Sequence, residues 1–147
     1  MPAQSVGRAW IALCLALALH VIDEALTGFL DVYNPSVRVL RERWPWLPLP
    51  VFTFEKWIVS LALVIAMLLA LSGFVGRGAR WARALAYVFS ALMIANALGH
   101  ALGTIFGRTA GTIAFPRPMP GFYSSPVLFI ASVYLLKQLR ATRRIRA

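Results

Sequence analysis

The stretch Leu61-Ala-Leu-Val-Ile-Ala-Met-Leu-Leu-Ala-Leu71 decides the fold class, because eleven consecutive apolar residues are typical of a helix that lies in lipid. It belongs to a longer apolar segment at residues 54–75, which has no charge after Lys56. Three similar segments lie at residues 10–29, 84–107 and 125–139. All four approach the ~20 residues that cross a bilayer core. The sequence therefore predicts an all-α membrane protein, a four-transmembrane-helix bundle that forms one domain over residues 1–147.

The composition of the whole chain agrees with this class. Of the 147 residues, 60% are hydrophobic and 14% are charged, whereas soluble domains carry about 25% charged residues. The net charge is +10, but no basic face or recognition motif accompanies it, so we expect no nucleic-acid partner. Cys14 is the only cysteine and lies in the first apolar segment, which excludes an intramolecular disulfide.

The cations flank the apolar segments and predict the orientation of the chain. With both termini inside, nine cations face the cytoplasm and six face outward, which favours this N-in, C-in topology. The inner cations are Arg8, Arg77, Arg80, Arg83, Lys137, Arg140, Arg143, Arg144 and Arg146. We expect a multi-pass protein of the bacterial inner membrane, whose basic C-terminal tail at 140–147 contacts anionic lipid headgroups.

Two Pro-rich loops are predicted on the outer side, at residues 30–53 and 108–124. The first contains Trp44-Pro45-Trp46-Leu47-Pro48-Leu49-Pro50, whose alternating prolines exclude a regular helix and whose tryptophans are typical of the membrane interface. The second contains Pro116, Pro118 and Pro120. Ordered caps on the outer rim and plain connecting loops are both compatible with these patterns.

His20-Val21-Ile22-Asp23-Glu24 places ionisable residues inside the first predicted span. On a helix, His20 and Glu24 share one face at a spacing of four residues, and Asp23 lies to one side. An acid at the bilayer centre costs roughly 2.5–3.5 kcal/mol on insertion scales, so such groups normally face the bundle interior and serve a function. The alternative is a helix end at the outer rim, with the acids reaching the headgroups.

Asn96-Ala97-Leu98-Gly99-His100 repeats the four-residue spacing in the third predicted span. Gly99, Gly103 and Gly107 form a stripe of small residues beside it, which would let another helix, or a second copy of the chain, approach closely. The pair of Asn96 and His100 can act in a reaction or can form hydrogen bonds between helices without any catalytic role.

The expected depths of the two pairs agree. At 1.5 Å per residue, His20 lies about 16 Å and Glu24 about 22 Å from the inner side, while Asn96 lies about 20 Å and His100 about 26 Å from it. Glu55, at the outer start of the second span, comes close to the same level. Tyr123 and Ser124, before the fourth span, lie just above it. We therefore predict one polar site in the outer half of the bilayer.

Two chemistries suit this set of residues. His20, Glu24, His100 and Glu55 are the ligand types of a zinc or iron centre with open positions for water. The same site can also transfer protons, because burial and a neighbouring acid separate the pKa values of two carboxyl groups. In either case His20, Glu24, His100, Asn96 and Asp23 are the candidate catalytic residues.

The polar motifs resemble those of the HXXEE family of small bacterial membrane proteins. That family has a His-x-x-Glu-Glu motif, an Asn-x-x-x-His motif and a later Pro-Gly, which are similar to His20-x-x-Asp23-Glu24, Asn96-x-x-x-His100 and Pro120-Gly121. The resemblance implies an enzymatic function without specifying a reaction. Asp23 departs from the family pattern, because its carboxylate is one methylene shorter than that of glutamate.

Three functions remain open at this point. The first is a membrane-embedded enzyme for a lipid-like or small hydrophobic substrate, either a metal-dependent hydrolase or a proton-transfer isomerase. The second is a carrier or binding protein for a cation, proton or small solute. The third is a structural subunit of a membrane complex, with which the glycine stripe would agree.

Overall fold

The computed structural model describes residues 2–107 and 113–144, and this part of the chain consists of helices joined by turns and irregular segments. The all-α class is therefore confirmed. Arg108 and residues 145–147 of the basic tail lie outside the described residues. The helices are α1 (Pro2–Leu26), α2 (Phe29–Arg43), α3 (Phe54–Ala70), α4 (Ser72–Arg77), α5 (Arg80–Phe106) and α6 (Ser125–Arg144).

Three stretches of helix are long and apolar enough to cross a membrane. They are Gln4–Leu26, Phe54–Arg77 and Arg80–Phe106. Their outer faces carry large apolar side chains that the protein itself does not cover, as expected for surfaces that contact lipid. Examples are Leu15, Leu63, Met67, Leu92, Leu102 and Ile105. α6 does not belong to this set, because its second half carries Lys137 and Arg140.

α1 lies at the centre of the bundle and packs against α3, α4 and α6. Its buried residues recur every three or four positions, which is the spacing of one helix face. They include Val6, Trp10, Leu13, Leu17, His20, Val21 and Glu24. The two ionisable residues of the motif therefore lie on the buried face of α1, and the alternative that the acids reach toward the headgroups does not hold for Glu24.

Leu71 separates α3 from α4, and both helices pack against α1. The indole nitrogen of Trp10 donates a hydrogen bond of 2.7 Å to the carbonyl oxygen of Leu68, just before Leu71. Farther on, a Cβ atom at Gly7 would lie 3.2 Å from Gly76 Cα, so two glycines allow the helix backbones to come close together. These contacts hold the second predicted span against the first.

The segment between α1 and α3, which was predicted to be a loop, contains a helix. α2 begins directly after Gly28, whose φ of 78° turns the chain, and it includes Pro35 in its interior. A proline there removes a helical hydrogen bond. The Pro-rich segment at 44–53 is not helical. It is fastened to α2 by Asn34, whose amide donates to the Phe52 carbonyl at 2.9 Å and accepts from the Phe52 N–H at 3.0 Å.

α6 runs antiparallel to α5 along most of its length. At one end the Arg83 guanidinium donates to the Leu139 carbonyl at 3.2 Å, and at the other end α6 begins near His20 of α1 and His100 of α5. The segment before α6 folds back on α5, where it covers Gly103 with Met119 and Gly107 with Arg117. Within the described residues, only the exposed Gly99 of the glycine stripe has open space above it, and association through this stripe stays a prediction.

Candidate functional site

Three side chains of the predicted site meet between α1 and α5. His20 Nε2 lies 3.2 Å from His100 Nε2 and 3.5 Å from Glu24 Oε1, and His100 Nε2 lies 3.2 Å from the same carboxylate oxygen. His20, Glu24 and His100 are 0%, 6% and 3% exposed, respectively. The donor atoms form a triangle inside the protein, and these three residues can together hold a metal ion.

Asn96 and Ser124 hold His20 in place from opposite sides of its ring. The Asn96 amide donates a hydrogen bond of 3.0 Å to His20 Nε2. On the other side of the ring, Nδ1 lies 2.8 Å from the hydroxyl oxygen of Ser124. Asn96 therefore contacts the Nε2 side of the imidazole, which faces Glu24 and His100, while Ser124 contacts the Nδ1 side.

Asp23 does not touch either imidazole but acts through Ser124. Its Oδ2 atom accepts hydrogen bonds from the Ser124 hydroxyl at 2.7 Å and from the Ser124 N–H at 2.8 Å. Ser124 immediately precedes α6, so this carboxylate binds an otherwise unpaired N–H group at the start of a helix. Asp23 is therefore placed to position His20 through Ser124, without contacting the three donor atoms itself.

Gly121 closes the site from the loop before α6. Its N–H donates to the Thr27 hydroxyl at 3.1 Å, and Ser125 donates its hydroxyl hydrogen to the Gly121 carbonyl at 2.7 Å. The φ angle of Gly121 is 82°, a conformation that favours glycine. The Pro-Gly motif of the sequence therefore brings a backbone segment, rather than a side chain, against Glu24 and His100.

The His100 ring is held mainly by packing. Its centroid lies 6.1 Å from that of Phe29 and 4.7 Å from that of His20. Its Nδ1 atom is buried and has no hydrogen-bond partner among the described residues. The Thr104 hydroxyl donates to the His100 carbonyl at 2.8 Å, which fixes the backbone of α5 next to the ring.

A cavity of about 230 Å³ adjoins Glu24. Phe29, Phe54 and Trp57 line it together with Glu24 and Asp31. Glu24 therefore borders the cavity and also contacts the two imidazoles.

The structure brings together five of the six residues that the sequence analysis selected. Glu55 is the exception, because it is exposed on the first turn of α3 and does not belong to the group of His20, Glu24 and His100. Ser124 and Thr27 belong to the site but were not among its predicted residues. Ser124 was expected just above this level, because it lies at the start of the fourth predicted span.

Comparison with known proteins found no match to this chain. No family model matches the chain, and no curated protein or solved structure matches it either.

Proposed function

We propose that the chain is a membrane-embedded enzyme whose catalytic residues are His20, Glu24 and His100. Its substrate is lipid-like or a small hydrophobic molecule, and its chemistry is metal-assisted or acid/base. The observation that carries this proposal is the meeting of two imidazole nitrogens and a carboxylate oxygen within 3.5 Å in the protein interior. Ionisable groups are costly in the membrane, and a buried cluster of them is a typical mark of function.

The individual roles follow from the contacts. Glu24 acts as base or ligand, because it lies between the cavity and both imidazoles. His20 and His100 act as its partners in proton transfer or ligation. Asn96 orients the reacting group, since its amide donates into the centre of the site. Asp23 positions His20 through Ser124.

The cavity supports the choice of an amphiphilic substrate. Aromatic rings supply apolar contact on one side, while the Glu24 and Asp31 carboxylates supply acceptors for the polar or cationic part of a molecule. Its volume of about 230 Å³ accommodates a headgroup or a short chain rather than a whole lipid. The rest of the substrate would lie in the bilayer beside α1 and α3.

The same proposal includes a fourth span and the predicted orientation. α6 begins at Ser125, next to the site, and its Leu139 contacts Arg83 near the start of α5. Its 20 residues therefore extend along most of the 27-residue α5. With Arg77, Arg80 and Arg83 on the cytoplasmic side, the site lies toward the outer face of a bacterial inner membrane. We also propose membership of the HXXEE family, on the three motifs alone.

The test is a search for turnover. The purified protein in lipid nanodiscs would be incubated with a total membrane-lipid extract, and lipid species would be compared by mass spectrometry over time. We expect at least one species to be consumed by the wild-type protein, and Glu24→Gln and His100→Ala to abolish this consumption.

Glu42→Gln is the matched control, because Glu42 is exposed on α2 and remote from the site. This variant should consume the lipid at the wild-type rate. Consumption that persists in Glu24→Gln, or a wild-type protein that changes no lipid species, would contradict the proposal.

A further inference from the structure

The hydrogen bonds around His20 determine which ring nitrogen carries the proton. The Ser124 hydroxyl donates its one hydrogen to Asp23 Oδ2 at 2.7 Å, which is shorter than its 3.3 Å distance to the Gly121 carbonyl. The Ser124 oxygen then accepts from His20 Nδ1, which must carry the N–H. His20 Nε2 therefore has a lone pair, which accepts the hydrogen bond of the Asn96 amide at 3.0 Å and lies 3.2 Å from His100 Nε2 and 3.5 Å from Glu24 Oε1.

The centre of the site contains two imidazole nitrogens and a carboxylate oxygen. Among the described residues, no lysine or arginine pairs with them. Glu24 pairs with the two imidazoles. A buried carboxylate is costly unless a positive charge compensates it. A bound cation would compensate Glu24 Oε1 and take the place of the Asn96 amide at His20 Nε2.

The dimensions of the donor triangle suit the ligands of one small metal ion. Its three sides lie between 3.2 and 3.5 Å. Zinc bonds of about 2.0–2.2 Å place two tetrahedral ligands about 3.3–3.6 Å apart and two octahedral ligands about 2.8–3.1 Å apart, so the choice of a four-coordinate ion rests on the ligand types. The point equidistant from the three atoms is about 1.9 Å from each, so an ion with bonds of about 2.0 Å would lie slightly outside their plane.

We propose that His20 Nε2, Glu24 Oε1 and His100 Nε2 bind one four-coordinate Zn²⁺ ion and leave its fourth position open. The inference deepens the proposed function and rests on it, since it names the cofactor of the same site. Two imidazoles, one carboxylate and an open position form a ligand set typical of catalytic zinc, where the metal activates a bound water. Ser124 and Asp23 are then the outer partners that orient a ligand histidine.

The test measures metal binding directly and needs no substrate. The protein in nanodiscs would be stripped with a chelator and titrated with Zn²⁺ and with Co²⁺. We expect one ion per chain and, for Co²⁺, the intense visible absorption of a four-coordinate complex. Glu24→Gln and His100→Ala should bind at least about 100-fold more weakly, a larger loss than outer partners typically cause. Glu42→Gln should bind like the wild type.

Because the Co²⁺ spectrum is recorded on the wild-type protein, this part of the test does not depend on whether a variant folds. A wild-type chain that binds no ion, a weak six-coordinate spectrum, or equal affinity in Glu24→Gln and Glu42→Gln would each overturn the zinc assignment. Lipid turnover by the metal-free protein would overturn zinc as the cofactor and leave the enzyme in place. Tight binding without any turnover would support the metal site and contradict the proposed function.

Discussion

Gly121 lies so close to His100 that a methyl group on its Cα would be 2.8 Å from the ring atom Cε1. The same methyl group would be 2.9 Å from Glu24 Cγ. The loop before α6 therefore packs directly on two of the three proposed zinc ligands. His100 and Glu24 can keep their positions only because residue 121 has no side chain.

Gly121→Ala should consequently impair the site. The positive φ angle alone costs about 1–3 kcal/mol for a residue with a side chain, and the overlap with His100 and Glu24 adds to this. We expect a lower thermal unfolding temperature in detergent together with weaker Zn²⁺ binding. Gly99→Ala is the control, because Gly99 has open space above it and lies in a helix. There the change should be neutral or stabilise by about 0.5–1 kcal/mol.

Ser124→Ala should weaken zinc binding by about 10–100-fold, since it breaks the link between Asp23 and His20 and frees the imidazole to rotate. The titration with Zn²⁺ measures this loss. Ser132→Ala is matched to it, because Ser132 is also a buried serine of α6 but bonds only to the Leu128 carbonyl of its own helix. An equal loss of affinity in both variants would mean that the effect comes from packing in α6.

Asn96→Ala should separate binding from catalysis. In the structure the amide donates to the lone pair of His20 Nε2 that the ion would use. Removal of this competing donor should leave Zn²⁺ affinity unchanged or raise it, whereas turnover should fall by about 100-fold, a typical loss when one oriented donor is removed. Parallel titration and lipid assays measure the two effects. A large loss of Zn²⁺ affinity would instead identify Asn96 as a ligand.

Trp10→Phe should reduce stability without affecting the site. The substitution leaves the Leu68 carbonyl without its indole partner, at a cost of about 1–3 kcal/mol for a buried acceptor. Thermal unfolding followed by circular dichroism measures the change. Trp81→Phe provides the comparison, because Trp81 is 52% exposed, and it should unfold close to the wild-type temperature. Both variants should retain wild-type Zn²⁺ affinity.

Periodicity and depth were sufficient to predict the centre of the site. The four-residue spacing placed His20 and Glu24 on one face of α1, and counting along two helices placed Asn96 and His100 at a similar height. Height alone does not give direction around a helix, which is why Glu55 was expected near the site. In the structure it is exposed on the first turn of α3, away from the three donor atoms.

Features that depend on distant parts of the chain could not be predicted in the same way. α2 occupies residues that were predicted to be a loop, and it includes Pro35, a residue type that usually interrupts a helix. The link between Asp23 and Ser124 joins residues 101 positions apart, and no spacing rule connects them. The charges of α6 are visible in the sequence, but its position between α1 and α5 follows from packing alone.

The separation of His20 and Ser124 by 104 positions also has a consequence for biogenesis. Asn96 and His100 lie on α5 and precede Ser124 along the chain, so His20 can meet these two residues first during synthesis. The hydrogen bond at its Nδ1 atom can form only after Ser124 has been translated. The complete set of contacts around this imidazole therefore depends on the docking of α6.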